Sequence, residues 1–458
     1  MLFHTWLFCV FFLIVYPVYR WAKGTRFECP WLLLASYVFY GWWNPLYVVL
    51  IASSTLFGYW VVMMMERSQR KKFWIALGVI SNLGLLGSFK YAGFVTENLN
   101  ALLQRLGSSY AIPAPGVMLP IGVSFFTFQS ISYIVDCYRG AVQRERNLIR
   151  YATYIALFTQ VIMGPIERAG NLLRQLREDR PITKEDIADG LSLFVVGFFK
   201  KVAVADYLAL YVDKVYSNPG EHQSPALLLA TFAYAWQIYC DFAGYTDMGR
   251  GIARMMGLRL MLNFNNPYLA DGLGDFWNRW HISLSTWFKD YVYIPLGGNR
   301  HGTFHTYRNM FLTMVLSGIW HGASWNFLIW GVLHAVGRFF TRGLERSPFY
   351  RDRVPRFVKQ AWVFAFVCFA WIFFREEHLS DACLIVARIF TTGWADPGFP
   401  LLALVLIFSL WLYEFAYESK AKWLVEMAPV RVAIMLAALW YLATFPGRGE
   451  QGFIYNQF

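Results

Sequence analysis

The stretch LYVVLIASSTLFGYWVVMMM, from Leu46 to Met65, contains no charged side chain. A helix needs about 20 mostly apolar residues to cross a bilayer, so this stretch predicts a membrane-spanning helix. Similar apolar runs, some of them shorter, recur along the chain at Leu2–Tyr19, Pro30–Tyr40, Phe73–Phe89, Val117–Val135, Tyr151–Ile166, Leu191–Tyr211, Ala226–Tyr239, Met310–Trp320, Asn326–Phe340, Phe357–Phe374, Leu401–Tyr417 and Val430–Phe445. The sequence therefore predicts an all-α polytopic integral membrane protein.

The overall composition agrees with a membrane protein. Of the 458 residues, 57% are hydrophobic and 15% are charged, and the mean hydropathy is +0.37. Ordinary globular domains carry roughly 25% charged residues, so this composition excludes cytosolic enzymes, disordered chains and disulfide-stapled secreted domains. The six cysteines lack the spacing of a metal site or a redox motif. We interpret them as packing residues and expect no bound metal.

The basic excess has a simple explanation in a membrane protein. The chain has 41 Lys and Arg against 29 Asp and Glu, a net charge of +12. Cytoplasmic loops collect such residues and contact anionic membrane lipids, and no basic block stands beside exposed stacking aromatics, so we exclude nucleic acid as a partner. The alternation of loop charge predicts that both termini lie outside. The apolar N-terminus predicts a first span and not a removable signal peptide.

Breaks in the apolar pattern predict irregular helices. Several runs are too short to span alone, and a glycine-rich stretch extends from Gly244 to Gly298. Re-entrant or broken helices are tolerated in lipid only where protein or a watery cavity covers them. No linker or composition shift divides the chain, so we expect one membrane-embedded domain over residues 1–458. The topology between Tyr151 and Arg308 stays open.

The chemistry of the chain points to histidine. The sequence has no GxGxxG, Walker, GxSxG or HExxH motif, which argues against nucleotide, serine-elbow and zincin chemistry. His321 lies in LSGIWHGASWNF beside Trp320, between Gly318 and Gly322. Imidazole can take a proton near pH 7, and the glycines permit close approach of a backbone or an acyl chain. A buried histidine bound to one backbone carbonyl fits the spacing equally well.

A second candidate is DFWNRWHISLSTWFKDYVYIPLGG, from Asp275 to Gly298. Its aromatic and leucine residues recur every three or four positions, which predicts an amphipathic helix, at Trp277, Trp280, Leu284, Trp287 and Tyr291. The predicted polar face comprises Asn278, His281, Ser285 and Lys289. The individual tryptophans are typical of interfacial anchors, whereas His281 fits a cavity role and a structural role equally well. The shared polar face predicts that His281 supports donor binding.

A third candidate is QIYCDFAGYTDMGRGIARMMG, from Gln237 to Gly257. Buried carboxylates need partners, and the spacing of Asp247 to Arg250 and Arg254 favours pairing within one helix. For Asp241 two interpretations remain open, a structural ion pair and a carboxylate that orients a catalytic histidine.

Taken together, several motifs closely resemble the bacterial alginate O-acetyltransferase branch of the membrane-bound O-acyltransferases. They are SYVFYGWW, YCDFAGYTDMGRGIARMMGLRLMLNFNNPY, WNRWHISLSTWFKDYVYIPLGGNR and YRNMFLTMVLSGIWHGASWNFLIWG. The resemblance implies a bundle of about a dozen spanning and re-entrant helices around a catalytic tunnel in the bacterial inner membrane. It assigns the essential histidine to His321 and the second polar position to His281. Further candidates for substrate binding or relay are Trp320, Asn278, Ser285, Lys289 and Asp241.

The resemblance also implies a reaction. A cytoplasmic thioester, acetyl-CoA in the simplest case, would present its acyl group to His321, which would act as general base on an acceptor hydroxyl. The final acceptor would be an exopolysaccharide of the alginate or cellulose type, reached through a periplasmic SGNH-type acetyltransferase partner. The competing class is a transporter or flippase for a polysaccharide or lipid-linked sugar, although no internal symmetry of the kind transporters often carry is visible.

The C-terminal sequence GFIYNQF adds one more candidate. Relatives in this branch tend to end in an aromatic hexapeptide, a pattern that Phe453, Tyr455 and Phe458 keep. We expect this tail to dock in an apolar recess, where the Tyr455 hydroxyl would accept the acyl group transiently or guide the partner that does. The alternative is an interfacial anchor with tyrosine at headgroup level.

Overall fold

The computed structural model describes residues 1–114, 116 and 120–445, and within these ranges the chain forms helices and loops without a strand. The first helices are α1 Trp6–Ala22, α2 Glu28–Gly41, α3 Leu46–Arg67, α4 Lys71–Lys90, α5 Ala92–Arg105, α6 Val123–Arg139, α7 Leu148–Ala156, α8 Ala169–Arg177, α9 Lys184–Phe198, α10 Asp206–Tyr216 and α11 Ser224–Met255. The others are α12 Leu273–Arg279, α13 Ile282–Phe288, α14 Gly302–His321, α15 Trp325–Glu345, α16 Pro348–Arg353, α17 Arg356–Arg375, α18 Leu379–Thr391, α19 Leu401–Glu418, α20 Lys422–Glu426 and α21 Ala428–Thr444.

Long apolar helices confirm the predicted membrane protein. Within the described residues, 5 helices are long and apolar enough to cross a bilayer, namely α3, α4, α11, α17 and α19. The helices α1 and α21 are shorter and also apolar. Large apolar side chains such as Trp6, Leu13 and Leu46 lie exposed on the protein surface, as expected for residues that contact lipid.

The described chain divides into two compact units. One comprises Met1–Leu191 and Gly249–Met261, and the other comprises Ser192–Met248 and the described part of Leu262–Phe458. The predicted single domain stays a prediction. The candidate residues of the three motifs lie in the second unit, apart from the segment after Met248.

In the first unit, aromatic residues form the core. The rings of Phe11, Phe39 and Phe158 lie 5.4–5.7 Å apart, and the buried Tyr19 hydroxyl donates a hydrogen bond to the carbonyl of Met256 at 2.8 Å. The predicted span Tyr151–Ile166 is wrong here. Helix α7 ends at Ala156, because Leu157 leaves the helical conformation with a ψ of 119°, and turns and loop continue to Arg168. Pro165 disfavours a new helix within this loop, because proline removes a backbone donor and disfavours the α conformation at the residue before it.

In the second unit, glycines bring helices together. A Cβ on Gly244 of α11 would lie 2.7 Å from the carbonyl oxygen of Gly197 in α9, so only glycine fits at this crossing. The glycine at position 244 thus serves packing and does not break the helix. The expectation of broken helices is wrong for Gly244 to Met255, where α11 runs without interruption. It is confirmed further on, where Asn266 and His281 adopt left-handed backbone conformations with φ of 45° and 44°.

Candidate active site

His321 is the last residue of α14 and lies at the turn of a helical hairpin. Helix α14 ends there, Gly322 to Ser324 form the turn, and α15 begins at Trp325. The His321 side chain is buried, and its ring centroid lies 4.9–5.1 Å from those of Trp320, Trp330 and Phe374. An imidazole in such surroundings is partly shielded from bulk water, as a proton acceptor in a water-sensitive reaction requires.

The glycines that flank His321 serve packing. A Cβ on Gly318 would lie 2.3 Å from the carbonyl oxygen of Phe327, and one on Gly331 would lie 2.7 Å from that of Met314. The backbones of α14 and α15 therefore touch at these two positions. A Cβ on Gly322 would collide with the Phe327 ring at 2.0 Å. The sequence allowed either a backbone or an acyl chain to lie close to these glycines, and in this structure helix α15 occupies that space.

His281 lies at a break between two short helices, and this corrects the predicted continuous amphipathic helix. Helix α12 ends at Arg279, His281 has a φ of 44°, and α13 begins at Ile282. The left-handed residue turns the chain, so positions on the two sides of it no longer share a helical face. His281 is fully buried, whereas Asn278, Ser285 and Lys289 face a cavity.

Asn263 holds the break in place, and the sequence analysis did not select it. Its side-chain oxygen accepts hydrogen bonds from the Ser283 backbone N–H at 3.3 Å and the Ser283 hydroxyl at 2.9 Å, and lies 3.1 Å from His281 Nδ1. The Asn263 carbonyl accepts from the Ile282 N–H at 2.8 Å. Because these contacts come from residues about twenty positions apart, no local pattern could reveal them.

Trp320 brings the two histidines into one aromatic cluster. Its ring centroid lies 6.1 Å from that of His281 and 4.9 Å from that of His321. On its other side His281 packs edge-on against Phe242 of α11 at 4.7 Å. The structure thus joins two motifs that are separated in the sequence, which was the expectation for a shared site.

A cavity of about 380 Å³ lies next to this cluster. It contains the predicted polar residues Asn278, Ser285 and Lys289, and its other polar lining is Thr286, Thr313, Ser317, Arg338 and Arg342. Ser317 is one helical turn before His321 in α14. Arg338 pairs with Glu345 at 3.0 Å, and the Arg342 guanidinium lies 5.9 Å from the centre of the Tyr307 ring. The cavity therefore combines a cationic border with a hydroxyl near His321.

The tryptophans of this region are buried in the protein, so their interpretation as interfacial anchors is wrong. Trp277 packs edge-on against Trp330 at 5.7 Å, and Trp280 lies 5.0 Å from Trp371. Trp287 is also buried. These rings thus lie inside the protein, and Trp277 also lines the cavity.

The two aspartates of α11 pair with adjacent lysines that follow α9. Lys200 and Lys201 lie in a π-helical turn, where Lys200 contacts Asp247 at 3.0 Å and Lys201 contacts Asp241 at 2.6 Å. Lys201 also contacts Asp206 at 2.8 Å. For Asp241 the structure thus gives an ion pair with Lys201. The two lysines in the otherwise apolar run FFKKVAVA were a usable signal that the sequence analysis missed.

Arg254 does not pair with Asp247, contrary to the sequence-based expectation. In the first unit it contacts Asp186 at 2.8 Å and Asp189 at 3.1 Å. Near the C-terminal end of α11, Asp247 is therefore bound to a lysine, and Arg254 is bound to carboxylates of α9.

Two further expectations concern groups outside this cluster. Within the described ranges, no group of three or more histidine, cysteine or acidic residues could hold a metal ion. Tyr455, with the rest of the tail, lies outside the described residues.

A third histidine, His334, is fully buried between Trp277 and Trp330, and we interpret it as a packing residue.

Comparison with known proteins identifies the family. The model of the MBOAT, membrane-bound O-acyltransferase family, matches residues 124–377, which include both histidines and the cavity. The chain belongs to the membrane-bound O-acyltransferase family. It is therefore a membrane O-acyltransferase.

Relatives of this chain are named for several acyl transfers. The probable alginate O-acetylase AlgI of Pseudomonas putida is 42% identical over 86% of this chain and 81% of its own length. The peptidoglycan O-acetyltransferase of Helicobacter pylori is 34% identical over 84% of this chain and 79% of its own. The teichoic acid D-alanyltransferase of Bacillus subtilis is 30% identical over 56% of this chain and 69% of its own. All three names describe acyl transfer, which favours an enzyme over a transporter.

Proposed function

We propose that this protein moves an acetyl group from acetyl-CoA on the cytoplasmic side of the bacterial inner membrane to a hydroxyl used for exopolysaccharide O-acetylation. The observation that carries the proposal is the placement of His321 and His281 around Trp320, one helical turn from a cavity with cationic residues at its border. A thioester with a phosphorylated carrier suits such a cavity, because Lys and Arg pair with phosphate.

In the proposed reaction His321 is the general base. It removes the proton of the acceptor hydroxyl while the oxygen attacks the thioester carbonyl carbon. The carbon–sulfur bond then breaks, and the proton passes from His321 to the leaving thiolate. General-base assistance contributes typically ~10²–10⁴ in rate. No nucleotide is consumed, because a thioester is activated enough to form an ester.

The cavity provides the donor site in this scheme. Lys289 and Arg342 would contact the phosphates of the carrier, and Asn278 and Ser285 would hydrogen bond its amide arm. The acyl group would then extend past Ser317 toward His321. A bundle of about a dozen spanning and re-entrant helices around one tunnel, forming one domain, would carry the group across the membrane.

The relatives' names support the proposed acceptor, and the aromatic sequence of the tail motivates the proposed relay. The alginate relatives are named for acetylation of a polysaccharide, which supports an alginate- or cellulose-type polymer as final acceptor. We propose that a periplasmic SGNH-type acetyltransferase receives the group, and that Tyr455 carries or guides it.

A direct assay tests the proposed function. Purified protein in lipid nanodiscs is incubated with radiolabelled acetyl-CoA and a hydroxyl acceptor, with and without candidate periplasmic partners. We expect labelled ester to form in proportion to enzyme concentration and free CoA to appear in equal amount. Hydrolysis of the donor without ester formation under every acceptor and partner condition would contradict the proposal.

A further inference from the structure

We infer that Asn263 is a positioning residue that fixes His281 as the tautomer with its proton on Nδ1. Asn263 comes from the segment before α12, is buried, and reaches His281 across the break between α12 and α13. The inference rests on the proposed acyl transfer and adds to it a defined role for His281.

The backbone determines which end of the Asn263 amide faces the histidine. The Ser283 backbone N–H lies 3.3 Å from Oδ1, and a backbone N–H can only donate a hydrogen bond. The atom that it meets must therefore be the amide oxygen and not the amide nitrogen. The opposite orientation of the side chain would set two donors against each other.

The same oxygen then determines the tautomer. An amide oxygen only accepts hydrogen bonds, so the His281 Nδ1 atom, 3.1 Å away, must carry the hydrogen. In the neutral ring the lone pair is then on Nε2, the atom that can accept a hydrogen bond or a proton. His281 is thereby a proton or hydrogen-bond acceptor at Nε2 instead of a donor there.

Asn263 also supports the strained backbone at His281. A non-glycine residue with φ of 44° is uncommon and persists only where its surroundings hold it. His281 occupies the N-cap position of α13 without forming a side-chain cap, and Asn263 accepts the N–H groups of Ile282 and Ser283 in its place. One residue thus caps the helix, holds the break and orients the imidazole.

Two substitutions at Asn263 separate the positioning role from a packing role. Asn263→Leu keeps the branched shape and the number of non-hydrogen atoms of the side chain and removes the acceptor. We expect kcat for acetyl transfer to fall about tenfold or more, the size of effect typical for a lost buried hydrogen bond, with the KM for acetyl-CoA nearly unchanged. Asn263→Asp keeps the acceptor oxygens, so we expect it to retain most of the activity.

The pH profile gives a readout that packing alone would not move. A carboxylate beside the imidazole favours its protonated form and raises its pKa. Activity that needs the Nε2 lone pair is present above this pKa and is lost as pH falls through it. For Asn263→Asp we therefore expect the acidic limb of the kcat/KM profile to move upward by about one pH unit or more.

The control is Asn265→Leu, an exposed asparagine in the same segment, which should leave kcat and the pH profile unchanged. If wild-type enzyme transfers acetyl but Asn263→Leu keeps wild-type kcat, the inference is wrong. The inference is equally wrong if Asn263→Asp folds and the acidic limb of its pH profile stays at the wild-type position. This second test can be made even if the leucine variant fails to fold. Absence of transfer by the wild type would instead contradict the proposed function.

Discussion

His321 and His281 are held by different means. His321 ends a helix and is surrounded by the rings of Trp320, Trp330 and Phe374, whereas His281 is oriented by a hydrogen bond to Asn263. The sequence could predict only the contact of His321 with Trp320, its neighbour in the motif, because Trp330 and Phe374 come from α15 and α17. The conformation of His281 depends on a residue eighteen positions earlier, and its period-based assignment to a polar stripe failed for that reason.

This correction changes the expected effect of His281→Ala. His281 does not line the cavity proposed as the donor site. We therefore expect the substitution to lower kcat for acetyl transfer and to leave the KM for acetyl-CoA within about twofold, because an interaction made only in the transition state changes the rate and not donor binding. Steady-state rates against donor concentration measure both constants. A raised KM with an unchanged kcat would return His281 to a donor-binding role.

In the proposed reaction, the cationic residues of the cavity bind the donor. We expect Arg342→Gln to raise the KM for acetyl-CoA by about tenfold, because a charge-assisted hydrogen bond to phosphate contributes about 1.5–3 kcal/mol. Arg346→Gln, an exposed arginine one turn further along the same helix end, is the control and should not change KM. Equal KM values for wild type and Arg342→Gln would remove this residue from the donor site.

At the scale of elements, the hairpin of α14 and α15 positions His321. Its two helices touch at Gly318 and Gly331, and this contact could be suspected from the glycines of the motif although not from any apolar period. The break between α12 and α13 could not, because left-handed conformations of histidine are rare. The predicted span at Tyr151–Ile166 failed because apolar composition does not show where a helix ends, and this helix ends at Ala156 inside the apolar run.

The hairpin contact predicts a large difference between two glycines of α15. Gly331→Ala places a Cβ 2.7 Å from the Met314 carbonyl oxygen, whereas nothing lies within 4 Å of a Cβ on Gly343. We expect the first to destabilise the protein by about 1–3 kcal/mol and the second to be neutral or stabilising by up to about 1 kcal/mol. Thermal unfolding in detergent gives both values, and equal unfolding temperatures would show that the helices are not in close contact.

At the scale of the whole molecule, apolar composition and the apolar runs were enough to predict a helical membrane protein, and motifs placed it in its family. Hydropathy could not predict which polar residues meet. Lys200 and Lys201 pair with Asp247 and Asp241 through the packing of α11 against the turn after α9, and such pairs compensate the cost of burying charge. Removing one partner of either pair would leave a buried charge behind.

The central proposal is that His321 acts as general base when an acetyl group moves from a thioester on one side of the membrane to a hydroxyl on the other. Its most direct test uses sealed proteoliposomes with radiolabelled acetyl-CoA on the cytoplasmic side and the hydroxyl acceptor, with its periplasmic partner, on the other. We predict labelled ester outside the vesicles for wild type, and a rate at least ~10² lower for His321→Ala inserted in equal amount and equally stable to heating. If His321→Ala keeps more than about a tenth of the wild-type rate, it keeps far more than an enzyme without its general base should. His321 would then be structural and the proposed mechanism wrong.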